Sequence, residues 1–278
     1  MNKLENTPKQ IADTKAIEIE LTATCQLYQR KKEGSDEFIA NGCAILFEYN
    51  FNYYCFSNAH VLSDSQLGKT FFLGDDGTAV TVGGQIFYTR LPESQRRADD
   101  PLDIAIVKLL PKVADFLREN GQRFLTSSQV QTGVSLLKNQ ILMIAGYPAS
   151  KTKVDLITNR LKFNPLLVRT IPFLKALRNI NFPKEFHHIV QFPIRAFKES
   201  KTGERCQAAK PAGISGSGLW LLKGESDTFY HPILVGIISE YHKNRSIIIS
   251  TKVDLYIDLL KQKFDSSIQN DGVQIELL

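Results

Sequence analysis

The feature that most constrains the fold is a dense succession of short strand patterns broken by turn residues. Residues 16–30 alternate apolar and polar side chains as a half-buried strand does. Residues 38–48 and 52–61 are two more runs rich in aromatic and aliphatic side chains, joined by Tyr49-Asn50-Phe51-Asn52, which reads as a hairpin connection. Residues 69–73 and 78–90 flank the turn Gly74-Asp75-Asp76-Gly77, and 103–110 read as a buried strand. A short helix or linker at 111–120 opens with Pro111. Beyond it come one or two strands in 133–147, a hairpin from 216–223 and 232–240, a strand at 246–252 and a terminal helix at 253–264. Strands this short, with turns this close, argue for all-β barrels or a sandwich and against alternating βαβ units. They fall into two halves, 16–125 and 126–264, with no internal repeat of fixed period.

Composition narrows the class further. The chain has 278 residues, 43% hydrophobic and 23% charged, which suits a globular protein with a substantial core. Its first fifteen residues lack the apolar stretch of a secretory signal, and no run reaches the ~20 apolar residues of a membrane span, so a cytoplasmic protein is expected. The cysteines, Cys25, Cys43, Cys55 and Cys206, make no Cys-x-x-Cys pair and are too few for a disulfide scaffold, so reduced thiols and no cofactor are expected. There is no His-Glu-x-x-His and no glycine loop for nucleotide phosphates, which disfavours a metalloprotease and a P-loop enzyme.

Charge is uneven. Residues 151–210 hold 13 Lys or Arg against 4 Asp or Glu, in a chain whose net charge is +5. The segment 149–210 also carries Pro165, Pro172, Pro183 and Pro193, which break any continuous helix. It reads as a long insertion, either a solvated face or a contact surface for an acidic partner. Nucleic acid is the disfavoured partner, because the segment's aromatics, such as Phe186 and Phe192, read as packing residues.

Three short segments carry candidate chemistry. In 211–220, three glycines and two serines surround Ser215, and Gly213-Ile214-Ser215-Gly216 gives the open backbone that a nucleophile and an oxyanion site need. Ser57-Asn58-Ala59-His60 ends a strand with an imidazole at the turn, and Asp103 opens a buried strand. Each alone is ordinary: a loop, a surface histidine, a turn-forming aspartate. Together they stand in the chain order His, Asp, Ser, which is that of chymotrypsin-type hydrolases. An α/β-hydrolase would need the serine first, in a strand-to-helix turn, whereas Ser215 is followed by a strand pattern.

In these segments the sequence resembles the trypsin/chymotrypsin-like serine protease family, in its intracellular bacterial-type form. Ala59-His60 is similar to the family's Ala-Ala-His, Asp103-Ile104-Ala105 to its Asp-hydrophobic-Ala, and residues 213–218 to its Gly-Asp-Ser-Gly-Gly-Pro loop. Residues 236–239 resemble its substrate-pairing strand, and Thr251-Lys252-Val253 the approach to its last helix. The resemblance spans residues 16–264. It implies two six-stranded antiparallel β-barrels with a C-terminal helix, a cleft between them, and the long insertion in the second.

It also implies roles. Ser215 is the nucleophile of a serine endopeptidase, His60 the general base and acid, and Asp103 its orienter. The N–H groups of Gly213 and Ser215 form the oxyanion hole. Ser239 hydrogen-bonds Asp103, and Glu240 and Tyr241 line the substrate groove. Ser217 is the disfavoured rival nucleophile, since Ser215 would crowd its anion site. The family's Ile-Val-Gly-Gly start is absent, Ile214 replaces the aspartate that receives a new N-terminus, and the disulfide near the histidine is not reproduced. These departures point to a protease without a zymogen step or one governed by a protein partner, acting on a selected protein or peptide. Ala209, six residues before Ser215, argues against a preference for Lys or Arg. The alternative is a catalytically silent module on the same scaffold that binds a peptide or protein.

Overall fold

The computed structural model describes residues 17–33, 35, 37–62, 68–89, 100–151, 153–155, 160–162, 165–175, 182–192, 197–198, 205–206, 210–226 and 229–264. Ala209 and much of the basic segment lie outside them.

Two curled antiparallel sheets dominate. The first contains β1 (Thr24–Arg30), β2 (Phe38–Tyr49), β3 (Asn52–Ser57), β4 (Thr70–Leu73), β5 (Ala79–Thr81), β6 (Gly84–Tyr88) and β7 (Ala105–Leu109). Their order is β5-β4-β1-β2-β3-β7-β6. The helix α2 (Pro111–Glu119) follows. The second sheet contains β8 (Leu142–Gly146), β11 (Leu166–Thr170), β12 (His187–Gln191), β15 (Gly218–Ser226), β16 (Phe229–His242) and β17 (Ile247–Lys252). Its order is β11-β8-β15-β16-β17-β12. Two small hairpins, β9 (Lys153–Asp155) with β10 (Arg160–Lys162) and β13 (Phe197–Lys198) with β14 (Arg205–Cys206), belong to the insertion, and α3 (Val253–Phe264) closes the described chain.

The all-β, two-barrel expectation is met, with differences of detail. The first sheet has seven strands rather than six. The run expected over 78–90 is cut into β5 and β6 at Gly83-Gly84, and Gly84 lies so close to Lys108 that a Cβ would stand 1.9 Å from its carbonyl oxygen. The strand expected over 16–30 begins only at Thr24, because residues 17–22 form a helical turn, α1. There Thr22 and Thr24 return their hydroxyls to the Glu18 and Glu20 carbonyls, and Ile17, Ile19 and Leu21 pack against the core. In 133–147 only Leu142–Gly146 is a strand. At the β2–β3 connection Asn50 and Phe51 both have positive φ, +48° and +58°, the backbone of a two-residue hairpin turn.

Each sheet wraps its own apolar filling. Leu27, Leu46, Phe72 and Val107 fill the first, and Leu142, Ile144, Leu219 and Ile248 the second. A third cluster joins them: Phe47, Phe56 and Ile106 meet Met143, Trp220 and Leu234, with Tyr256 and Leu260 of α3 alongside. Burial of this shared seam fixes how the sheets face each other. The loops leaving β3, entering β7 and preceding β15 converge at its edge.

Candidate active site

The β3 end is built to present an imidazole. Ser57 closes the strand, and its carbonyl accepts from Tyr256 Oη of α3 at 2.9 Å. The chain then turns through Asn58, whose carbonyl accepts from the Val61 and Leu62 N–H groups. His60 is left at the tip with its side chain 40% exposed. Behind it the Val61 methyls stand against Gly42, where a Cβ would lie 2.7 Å from Val61 Cγ1. Apolar contact ties this loop to β2, and Cys25, Cys43 and Cys55 are free buried thiols.

Asp103 holds His60 through both carboxylate oxygens, one on the ring and one on the main chain. Oδ2 lies 2.5 Å from His60 Nδ1, and Oδ1 accepts from the His60 main-chain N–H at 2.9 Å. The carboxylate accepts only, so Nδ1 carries the proton and Nε2 is left with a lone pair facing outward. Asp103 holds this position in a left-handed backbone, φ +49°, which a non-glycine residue adopts only when its surroundings enforce it. They do so on every side. The Pro101 carbonyl lies 2.6 Å from His187 Nε2 of β12, and the Leu102 carbonyl accepts from Thr251 Oγ1 at 2.9 Å. The Asp103 carbonyl accepts from Ala59 N–H and Asn58 Nδ2, and Ile104 N–H donates to Thr89 Oγ1, itself bonded to Asp100. Residues of the second sheet thus pin the first sheet's carboxylate.

The nucleophile loop is held differently. Gly216 has φ +89°, and a Cβ there would stand 1.9 Å from the Cys43 carbonyl oxygen, so only glycine lets the loop lie on β2. The Ser215 carbonyl then accepts from Cys43 N–H at 2.7 Å, and Gly216 N–H donates to Ile238 at 2.8 Å. Ile214 turns inward and is 2% exposed, packed among Ile144, Leu166 and Leu219. Ser215 faces the cleft and Ser217 does not: Ser217 is fully buried behind the loop against Gly146. Among the described residues, the N–H groups of Gly213 and Ser215 donate to no main-chain carbonyl, as an anion site requires.

His60, Asp103 and the 213–216 loop therefore come together around one cleft. Two expectations need adjustment. Among the described residues no hydrogen bond joins Ser215 to His60; Ser215 Oγ donates to the Ser239 carbonyl at 3.4 Å. Catalytic hydrogen bonds of this kind are commonly loose until substrate binds. Ser239 does not bond Asp103 either. A bulge between Ile238 and Glu240 turns its hydroxyl toward β17, where it donates to Ile249 at 3.2 Å. Thr251 and Asn58 support the Asp103 segment instead. Beyond Ile237, β16 no longer pairs with β15, so residues 239–241 present an edge next to Ser215. Glu240 on that edge lies 3.2 Å from His242, and Tyr241 packs edge-on against Phe192 with ring centroids 5.5 Å apart.

No protein-family model matches the chain, and no curated protein sequence matches it. Among solved structures it resembles a scabies mite inactivated protease paralogue, with 14% identity and a TM-score of 0.52 over 88% of this chain and 94% of that one. It resembles the VesB protease of Vibrio cholerae at 14% identity and TM-score 0.50, spanning 88% of this chain and 64% of that longer one. Neuropsin, a serine protease expressed in the limbic system of mouse brain, aligns at 13% identity and TM-score 0.52 over 87% and 93%. The fold is trypsin/chymotrypsin-like. Two of these neighbours are named as proteases and one as an inactivated paralogue.

Proposed function

We propose that this chain is a serine endopeptidase acting through Ser215, His60 and Asp103. The observation that carries the reading is the His60–Asp103 pair, which directs Nδ1–H to the carboxylate and leaves Nε2 to face a serine loop whose Gly213 and Ser215 N–H groups, among the described residues, donate to no main-chain carbonyl. In this reading Nε2 takes the Ser215 proton as Oγ attacks the peptide carbonyl, and the N–H groups of Gly213 and Ser215 receive the oxyanion. Imidazolium, stabilised by Asp103, then protonates the leaving amine. The free edge of β16 at 239–241 receives the extended substrate as an added strand. With Ile214 as an apolar plug, no new N-terminus is required to seat the loop. The free buried thiols suit a cytoplasmic location, and the substrate is a protein or peptide selected by the insertion or by a regulatory partner.

Incubating the full chain with a diverse peptide mixture and reading new termini by mass spectrometry tests this. Cleavage that disappears in Ser215→Ala and His60→Ala, both with unchanged melting temperature, is the expected result. The second reading, a silent peptide-binding module, is favoured by the Ser215–Ser239 bond and predicts tight peptide binding with no new termini in any variant.

A further inference from the structure

The Gly213 N–H belongs to the peptide unit that joins Ala212 to Gly213. A peptide unit is rigid and planar, so the direction of its N–H is set by where its C=O is held, on the opposite side. The Ala212 carbonyl accepts from the main-chain N–H of Ala149 at 2.9 Å. The contact is close: a Cβ on Gly213, where φ is +89°, would lie 2.7 Å from that same Ala149 nitrogen. On the far side of Gly213, the carbonyl of the next peptide unit faces the Cys43 thiol at 3.4 Å. Burial pushes that thiol's pKa up to about 11, which keeps its proton available as a donor. Both peptide units that meet at Gly213 therefore have their carbonyls tied down.

The tie points are themselves anchored. Tyr147 N–H lies 3.5 Å from Cys43 Sγ, its carbonyl accepts from Gln26 Nε2 at 3.1 Å, and its hydroxyl donates to the Leu21 carbonyl at 3.2 Å. The loop 146–149 is thus clamped to the first sheet at one end and grips the 212–213 peptide at the other. We propose that the Ala149 N–H and the Cys43 thiol are positioning groups. They hold the Gly213 N–H turned toward the cleft, so that the anion site stands assembled in the resting protein. The inference rests on the endopeptidase reading of Ser215 and names what prepares its site.

The test is the rate at which an alkyl fluorophosphonate labels Ser215, followed against pH. Ala149→Pro removes the donor and sets its ring carbon against the Ala212 carbonyl, so the 212–213 peptide loses its tie and has to turn away; residue 149 opens the short helical segment Ala149–Lys151, where proline itself is tolerated. The expected result is a plateau rate lowered by roughly 10- to 100-fold, within the range of losing one oxyanion donor. The pH midpoint of labelling stays in place. Cys43→Ala slows labelling several-fold, and Cys43→Ser, whose hydroxyl can still donate to Gly213, restores it. Ala149→Pro labelling at the wild-type plateau overturns the inference while leaving the endopeptidase reading intact. Should Ala149→Pro fail to fold, the Cys43 pair decides: equal rates in Cys43→Ala and wild type overturn it, and slowing rescued by serine supports it. A wild-type chain that is never labelled overturns both.

Discussion

The two sides of the cleft are held by different physics. The His60–Asp103 side is a mesh of hydrogen bonds: four consecutive residues, Pro101 to Ile104, each have a main-chain group in contact with a side chain or main-chain partner, two of them, His187 and Thr251, contributed by the opposite sheet. That mesh keeps Asp103 in a left-handed backbone that would otherwise relax. The Ser215 side rests on steric fit. A glycine that admits the loop to β2, an apolar plug at Ile214 and a few main-chain bonds carry it, and its hydroxyl is not bonded to the imidazole. The contrast teaches that the imidazole is fixed by bonds to two carboxylate oxygens, while the Ser215 hydroxyl is held by one long bond to a main-chain carbonyl; under the proposed function, the nucleophile's last alignment is left to the substrate.

The largest break in this comparison is Asp103→Asn. It preserves shape but offers an amide to Nδ1, which inverts the tautomer and turns Nε2 from acceptor to donor. The turnover rate should fall by about 10⁴ with little change in melting temperature, measured as cleavage of a peptide found in the mixture above. A loss of only a few-fold would mean that the orienting mesh is not what makes His60 basic toward Ser215.

A smaller effect, in stability rather than rate, sharpens the Ser215 side. Glu20 on α1 is fully buried, and among the described residues neither carboxylate oxygen has a hydrogen-bond partner; burial raises its pKa to about 8 against the nearby Arg169 charge. This helical turn supports Tyr147 through Leu21, and so the loop that grips the 212–213 peptide. The folded state prefers the protonated acid. Its contribution is therefore fully present below the ordinary glutamate range, near 4.5, and is lost as pH rises through about 8. Glu20→Gln should flatten the decline in melting temperature over that interval and leave the protein more stable above pH 8. An unchanged pH profile would remove Glu20 from the account.

Much of this was legible in the sequence, and the exceptions share a cause. His60, Asp103 and Ser215 stand out because each sits in a short local pattern in a telling order, and the structure bonds the first two. The hairpins 38–57 and 218–242 and the helix at 253–264 could be read from periodicity and turn residues. Their supports could not. Thr251 reaches Leu102 across 149 positions, and Tyr147 reaches Leu21 across 126, distances over which no local pattern speaks. The family resemblance implies a bond from Ser239 to Asp103, and a single bulge turns that hydroxyl to Ile249 instead. Residues 17–22 were misread because Ile17, Ile19 and Leu21 satisfy a strand's period over a stretch too short to exclude a helix.

The central claim is that Ser215 is a nucleophile made reactive by His60. Its most direct measurement is intact mass and peptide mapping after treatment with an alkyl fluorophosphonate. The account predicts one phosphonyl group per chain, on Ser215, absent in Ser215→Ala and strongly slowed in His60→Ala. Labelling at another serine, or none at all in a folded chain, would contradict it.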